Sequence, residues 1–232
     1  MTRNDVRTIR EMPMRPFSPR PLRPVRSALA LLALTLVTGC SFLLGVRTEP
    51  PKLYVLSVTP PAGTHVLPPA IVLGFGPVDL PVYLDRRGIV RRLDPNRLEE
   101  SRTDLWAEPL GAGFKATVEQ NLRLRLPAVP IRAFPWPVAN QPDLAVSIEV
   151  SRFELTPGDT VELNARWSVR DPRDGTVLVD RDVALVDAVT APGTENVVAA
   201  MSLAVGELSD QVAAELARQA KARPPGRRAA AP

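Results

Sequence analysis

Between Thr160 and Arg170 the chain runs TVELNARWSVR, and every second residue is apolar. Val161, Leu163, Ala165, Trp167 and Val169 alternate with Glu162, Asn164, Arg166, Ser168 and Arg170. A two-residue period puts the first set on one face of a β-strand and the second set on the other. The preceding stretch, DLAVSIEVSRFEL, alternates Leu144, Val146, Ile148 and Val150, then changes phase to Phe153 and Leu155, which predicts a bulge near Ser151 and Arg152. The following stretch, TVLVDRDVALVDAV, puts Val177, Val179, Val183 and Leu185 on one face, with Arg181 interrupting them. Pro157-Gly158-Asp159 and Asp174-Gly175 supply the turns. Three such strands make a meander with one dry and one wet face. The dry face has to be covered, and that requirement limits what the rest of the chain can be.

Two amphipathic helices supply the cover. Leu110, Phe114, Val118, Leu122 and Leu126 recur every fourth residue, Trp106 stands just before them, and Pro127 ends the run. Val197, Met201, Ala204, Val205, Leu208, Val212 and Leu216 form a second stripe between about 195 and 220, whose other side, with Glu207, Asp210, Glu215 and Arg218, reads as solvated. Upstream, KLYVLSV (52–58) and the start of AIVLGFGPVDLPVYL (70–84) read as strands, and two short extended pieces flank the turn Asp94-Pro95-Asn96. VPIRAFPWP (129–137) is a short extended piece broken by prolines. The expected fold is a single α+β domain over 53–220: a mixed, largely antiparallel sheet with both helices packed on it.

The N-terminus is of another kind. Seven arginines against two acids precede an uncharged run from Ser27 to Val46, the layout of a secretory signal. Val37-Thr38-Gly39-Cys40 holds the only cysteine and resembles the bacterial lipobox, in which the signal is cut before a cysteine that is then lipidated. A retained membrane helix fits the length of the run, but has no need of Thr-Gly-Cys inside it. The expected organisation is a signal peptide at 1–39, lipidation at Cys40, a tether over 40–52 and a basic tail over 221–232. Ser41 follows the cysteine where an aspartate would argue for inner-membrane retention, so the outer membrane, periplasmic face, is expected. More than one acyl chain makes such an anchor durable.

Cleavage changes the charge. The full chain carries +4, and residues 1–39 alone carry +5, so the mature chain stands at −1 and gives no basic surface for nucleic acid. The lone histidine, His65, lies in the loop TPPAGTHVLPP and cannot by itself make a metal cluster. No serine sits in a Gly-x-Ser-x-Gly turn, and Gly74-x-Gly76 runs into Pro77, so neither a nucleophile elbow nor a dinucleotide fingerprint is present. No cofactor, metal or catalytic residue is expected.

Four stretches carry a family likeness: LPVYLDRRGIVRR (80–92), DLWAEPLGAGFKATVEQNLRLRL (104–126), FPW (134–136) and ARWSVRD (165–171). In their order and combination, with the lipobox, the chain resembles the ABC-type transport auxiliary lipoproteins, the PqiC-like family. The resemblance implies a non-catalytic component of an intermembrane lipid transport system. It implies docking on a PqiB-like MCE-domain protein that bridges the envelope, and assembly as a homo-oligomeric ring.

Within 80–87, Tyr83, Leu84, Asp85 and Arg86 read either as a partner contact or as a plug, with Tyr83 and Leu84 in the core and Asp85 capping a turn. Trp106 and Trp167 are expected inside, and Trp136, between prolines, is the candidate exposed aromatic contact. Two other readings are an assembly factor for another outer-membrane machine and an envelope hydrolase, the latter without a recognisable motif.

Overall fold

Strands and helices fall where the hydrophobic period puts them. The computed structural model describes residues 50–68 and 71–222. In chain order these form β1 (Lys52–Tyr54), β2 (Leu73–Asp79), a 3-10 turn (Val82–Leu84), β3 (Gly88–Asp94), β4 (Arg97–Trp106) and helix α1 (Leu110–Arg125). They continue with β5 (Ile131–Ala133), a second 3-10 turn (Val138–Asn140), β6 (Leu144–Thr156), β7 (Thr160–Arg170), β8 (Val177–Ala188) and helix α2 (Thr194–Ala222). Lys52, placed in the tether by sequence, starts β1, and α2 extends through Lys221 and Ala222. Cys40, the tether as far as residue 49 and residues 223–232 lie outside the described residues.

The three long strands pair as the meander requires, β6 with β7 and β7 with β8, all antiparallel. The register of β6 on β7 shifts between Val150 and Arg152, at the predicted bulge. The other edge of β6 is shared. β2 runs parallel along its first half, from Leu73 opposite Leu144 to Asp79 opposite Glu149, and β3 reaches its far end with Arg91 opposite Leu155. Together β2 and β3 are one interrupted strand, and residues 80–87 are the interruption. β5 pairs parallel with β2, β4 antiparallel with β3, and β1 parallel with β4. The result is a single mixed eight-stranded sheet in one domain.

Both helices contact this sheet and each other. Every residue of both predicted stripes is buried, and Phe114 meets Phe153 of β6 edge to face, with ring centroids 5.3 Å apart. Trp106 and Trp167 are in the core. α2 is long and apolar enough to cross a membrane, yet two-thirds of its most apolar window is buried in this fold, so its composition is that of a core helix.

Two expectations fail locally. β1 stops at Tyr54 rather than Val58, because the chain leaves the sheet and runs over the helices as a strap. Pro60 and Pro61 have no N–H to give a ladder, and the remaining donors find helix groups instead. Ser57 N–H donates to Ser202 Oγ (3.0 Å), Thr59 N–H to Asn121 Oδ1 (3.0 Å), Ala62 N–H to Asp210 Oδ1 (3.2 Å) and His65 N–H to the Arg125 carbonyl (2.8 Å). The polar side of α2 departs from expectation as well. Asp210 accepts two hydrogen bonds from the Arg125 guanidinium, and Glu215 is buried, receiving Gln219 Nε2 at 2.8 Å and paired with Arg218.

Candidate functional site

Residues 80–87 leave the sheet at Leu80 and return at Gly88. Pro81 precedes a single 3-10 turn, closed where the Asp85 N–H donates to the Val82 carbonyl at 3.1 Å. The four sequence candidates here separate. Leu84 is only 2% exposed and lies in the hydrophobic core, so the expectation that it faces a partner is corrected: an aliphatic side chain at the break in the strand fills the core instead. Asp85 and Arg86 are exposed, as are Arg87 and Val82, the latter at 84%. Tyr83 is half-buried, and its hydroxyl donates to Glu154 Oε2 at 2.6 Å.

Glu154 holds this arrangement. It stands on β6 beyond the bulge and is fully buried, with Arg92 Nε donating to Oε1 at 2.8 Å and Arg152 Nε 3.6 Å away. A buried carboxylate needs such partners, because removing its hydration without replacing it costs several kcal/mol. Burial, then the hydrogen bond and charge of Glu154, push the Tyr83 phenol up to about 12. The segment is therefore fastened underneath by Leu84, Tyr83 and Glu154, and presents Val82, Asp85, Arg86 and Arg87 to solvent.

Trp136 belongs to a separate element, the proline-rich loop after β5. Its indole N–H donates to the Arg132 carbonyl at 3.0 Å, and Phe134 packs edge to face on its ring at 5.2 Å. The ring lies against β2 at Gly74, where an added Cβ would come within 2.5 Å of Trp136 Cζ2. A glycine at that point in a strand admits the close approach. Trp136 is thus partly covered, while Phe134 and Val138 beside it are exposed, Val138 at 88%.

A cleft beside the start of α2 carries no mark in the sequence. It measures about 540 Å3, and Ile89, Leu155 and Val197 line it together with Arg91, Glu99 and Asp104. It forms from four separate elements, so no local pattern marks it. Among the described residues no group of three or more His, Cys, Asp or Glu side chains could hold a metal ion.

With this geometry in hand, the decisive comparison is a family model, that of the ABC-type transport auxiliary lipoprotein component, which matches residues 54–213. The chain belongs to this family. The match starts in β1 and ends inside α2, so it takes in the strap, the interrupted strand, the aromatic loop and the meander. Auxiliary lipoproteins of this kind are cell-envelope components of transport systems. No curated protein matches the chain. Among solved structures, an uncharacterized protein superposes with a TM-score of 0.61 at 20% identity, covering 72% of this chain and 99% of its own. A protein from Xanthomonas campestris gives 0.59 at 18% identity, covering 73% and 97%. At these identities the two structures show that the fold is shared.

Proposed function

We propose that this auxiliary lipoprotein is held by a lipidated Cys40 on the periplasmic face of the outer membrane and docks on a PqiB-like MCE-domain protein, as a non-catalytic part of an intermembrane lipid transport system. The observation that carries the proposal is the family match over residues 54–213, which spans nearly all of the folded body. The lipobox-like Val37-Thr38-Gly39-Cys40 supports the anchor. As the family likeness implies, the assembled form is a homo-oligomeric ring.

The contact surface is drawn from what the fold exposes. Asp85 and Arg86, with Val82, form one patch, held in position by Tyr83 and Leu84; Trp136 supports the second by packing on Phe134, next to the exposed Val138. Charged side chains at such a surface orient the partner and speed its encounter, and the apolar ones contribute area.

The test is a crosslinked pull-down of the full-length protein from detergent-solubilised envelopes, with partners identified by mass spectrometry. An MCE-domain protein is expected as the leading partner, with its yield lowered by Arg86→Glu. Recovery of a different outer-membrane machine would withdraw the transport reading in favour of an assembly role. Cys40→Ala is expected to release the protein from membranes and abolish transport; retained transport with complete release would remove the anchor from the mechanism.

A further inference from the structure

β8 is the last strand of the meander, and among the described residues its outer edge has no partner. It runs for 12 residues without proline or glycine, and its pairing with β7 is regular from Thr160 opposite Ala188 to Val169 opposite Val179. An open edge of that length is a template for another strand unless something blunts it. One blunting device is a charge on the covered face, and Arg181 stands in that position: it lies opposite Trp167, on the face that carries Val179, Val183, Leu185 and Asp187. Arg181 is exposed and takes no part in the ion pairs among the described residues. Asp187 is partly buried, and its Oδ2 has no hydrogen-bond partner. The loss of water alone pushes its carboxyl up from the ordinary carboxylate value. An inward charge keeps strands away only when the incoming strand lacks its opposite, and β8 carries both signs.

We propose that this edge pairs with β8 of a second copy, antiparallel about a two-fold axis at Ala184, so that Arg181 of each copy faces Asp187 of the other. Arg181 and Asp187 stand at equal distances on either side of Ala184, and antiparallel partners equidistant from the axis lie opposite each other on the same face. The same register sets Val183 against Leu185, and Asp182 against Val186. Ala184, exposed and small, meets its own copy at the axis.

Neighbouring registers fail on charge. An axis at Arg181 or Asp182 opposes like charges, and one at Val183 or Leu185 sets Arg181 and Asp187 against apolar residues. The contact is isologous and closes after two copies, so a ring would have to use other surfaces, and residues 80–87 and 133–138 stay free for them. The inference does not rest on the transport reading.

Ala184→Cys tests it in the full-length protein extracted in detergent. Opposed residues in an antiparallel pair have Cα atoms roughly 4.5–5.5 Å apart, within the reach of a disulfide. Mild oxidation is expected to give a covalent dimer with Ala184→Cys and none with the wild type or Val177→Cys. Charge exchange tests the register: Arg181→Glu and Asp187→Arg alone should each cut dimer yield about tenfold, and the double variant should restore it. No dimer from a folded Ala184→Cys protein would overturn the pairing. A double variant no better than either single one would overturn the register.

Discussion

The strap over the helices and the segment at 80–87 solve the same problem in opposite ways. Each leaves the sheet, and each is fastened by one deeply buried charge. Under the strap that charge is a cation. Arg125 is 1% exposed, and its guanidinium donates to the Thr59 and Pro60 carbonyls of the strap (3.4 and 3.5 Å), to both Asp210 oxygens (2.7 and 2.9 Å) and to the carbonyls of Gly206 (3.1 Å) and Asn121 (3.2 Å). Beneath 80–87 it is an anion, Glu154, shared by Tyr83 and Arg92. The strap puts few of its side chains into the core, so backbone and polar groups have to hold it. The other segment also brings Leu84 inside. One attachment is therefore mostly polar, while the other is partly hydrophobic, and they should respond differently to the loss of their charges.

Arg125→Met makes the largest test. A methionine fills much of the same volume, but removes the cation and leaves Asp210 with the Ala62 N–H as its remaining strap donor. Removing one member of a buried pair costs about 3–5 kcal/mol, and the partial exposure of Asp210 puts the expected loss near the lower end. The expected outcome is a fall of that size in unfolding free energy by urea titration, with new proteolytic cleavage between residues 60 and 66. Unchanged cleavage in the strap would mean that the polar bonds are not what holds it.

Gly206→Ala probes the same attachment sterically. Its Cβ would lie 2.1 Å from Thr59 Oγ1 and 3.1 Å from Thr59 Cβ, so the strap has to lift. Overpacking of this kind costs about 1–3 kcal/mol. Adding Thr59→Gly should recover part of the loss, and a double variant as unstable as the single one would place the strain elsewhere.

The difference between the two attachments also marks what could be read from sequence. The meander, its bulge and both helical stripes were legible because period and burial coincide there, from Leu144 to Leu185 and from Leu110 to Leu126. Arg125, Asp210 and Glu215 were not: the surroundings of Arg125 and Asp210 depend on the strap that crosses the helices, and a helical wheel places Asp210 and Glu215 among solvated residues. KLYVLSV was read as a full strand, since nothing within it shows that Ser202 takes the Ser57 N–H, or that Asn121 takes that of Thr59 just beyond. At 80–87 the plug reading holds for Leu84, which is buried, while Asp85 and Arg86 are exposed. Glu154 was missed altogether. It follows the bulge, where strand alternation no longer tells inside from outside.

The second attachment is tested by Tyr83→Phe, which removes one hydroxyl and leaves Leu84 in place. A hydrogen bond to a charged group contributes about 1.5–3 kcal/mol, and partial exposure puts the expected loss near the lower end. The pH dependence distinguishes this from a packing effect. The phenol is raised from 10.0 to about 12 in the fold, so the neutral form is the one the structure favours. Its contribution is fully present below pH 10 and is lost as the pH rises towards 12. The wild type should therefore lose stability across that window, and Tyr83→Phe should lose less. A smaller slope remains because Tyr54 is also raised, by loss of hydration and then by Asp104, to which its hydroxyl donates. Equal alkaline slopes in the two proteins would show that Tyr83 does not titrate against Glu154, and that Leu84 alone fastens the segment.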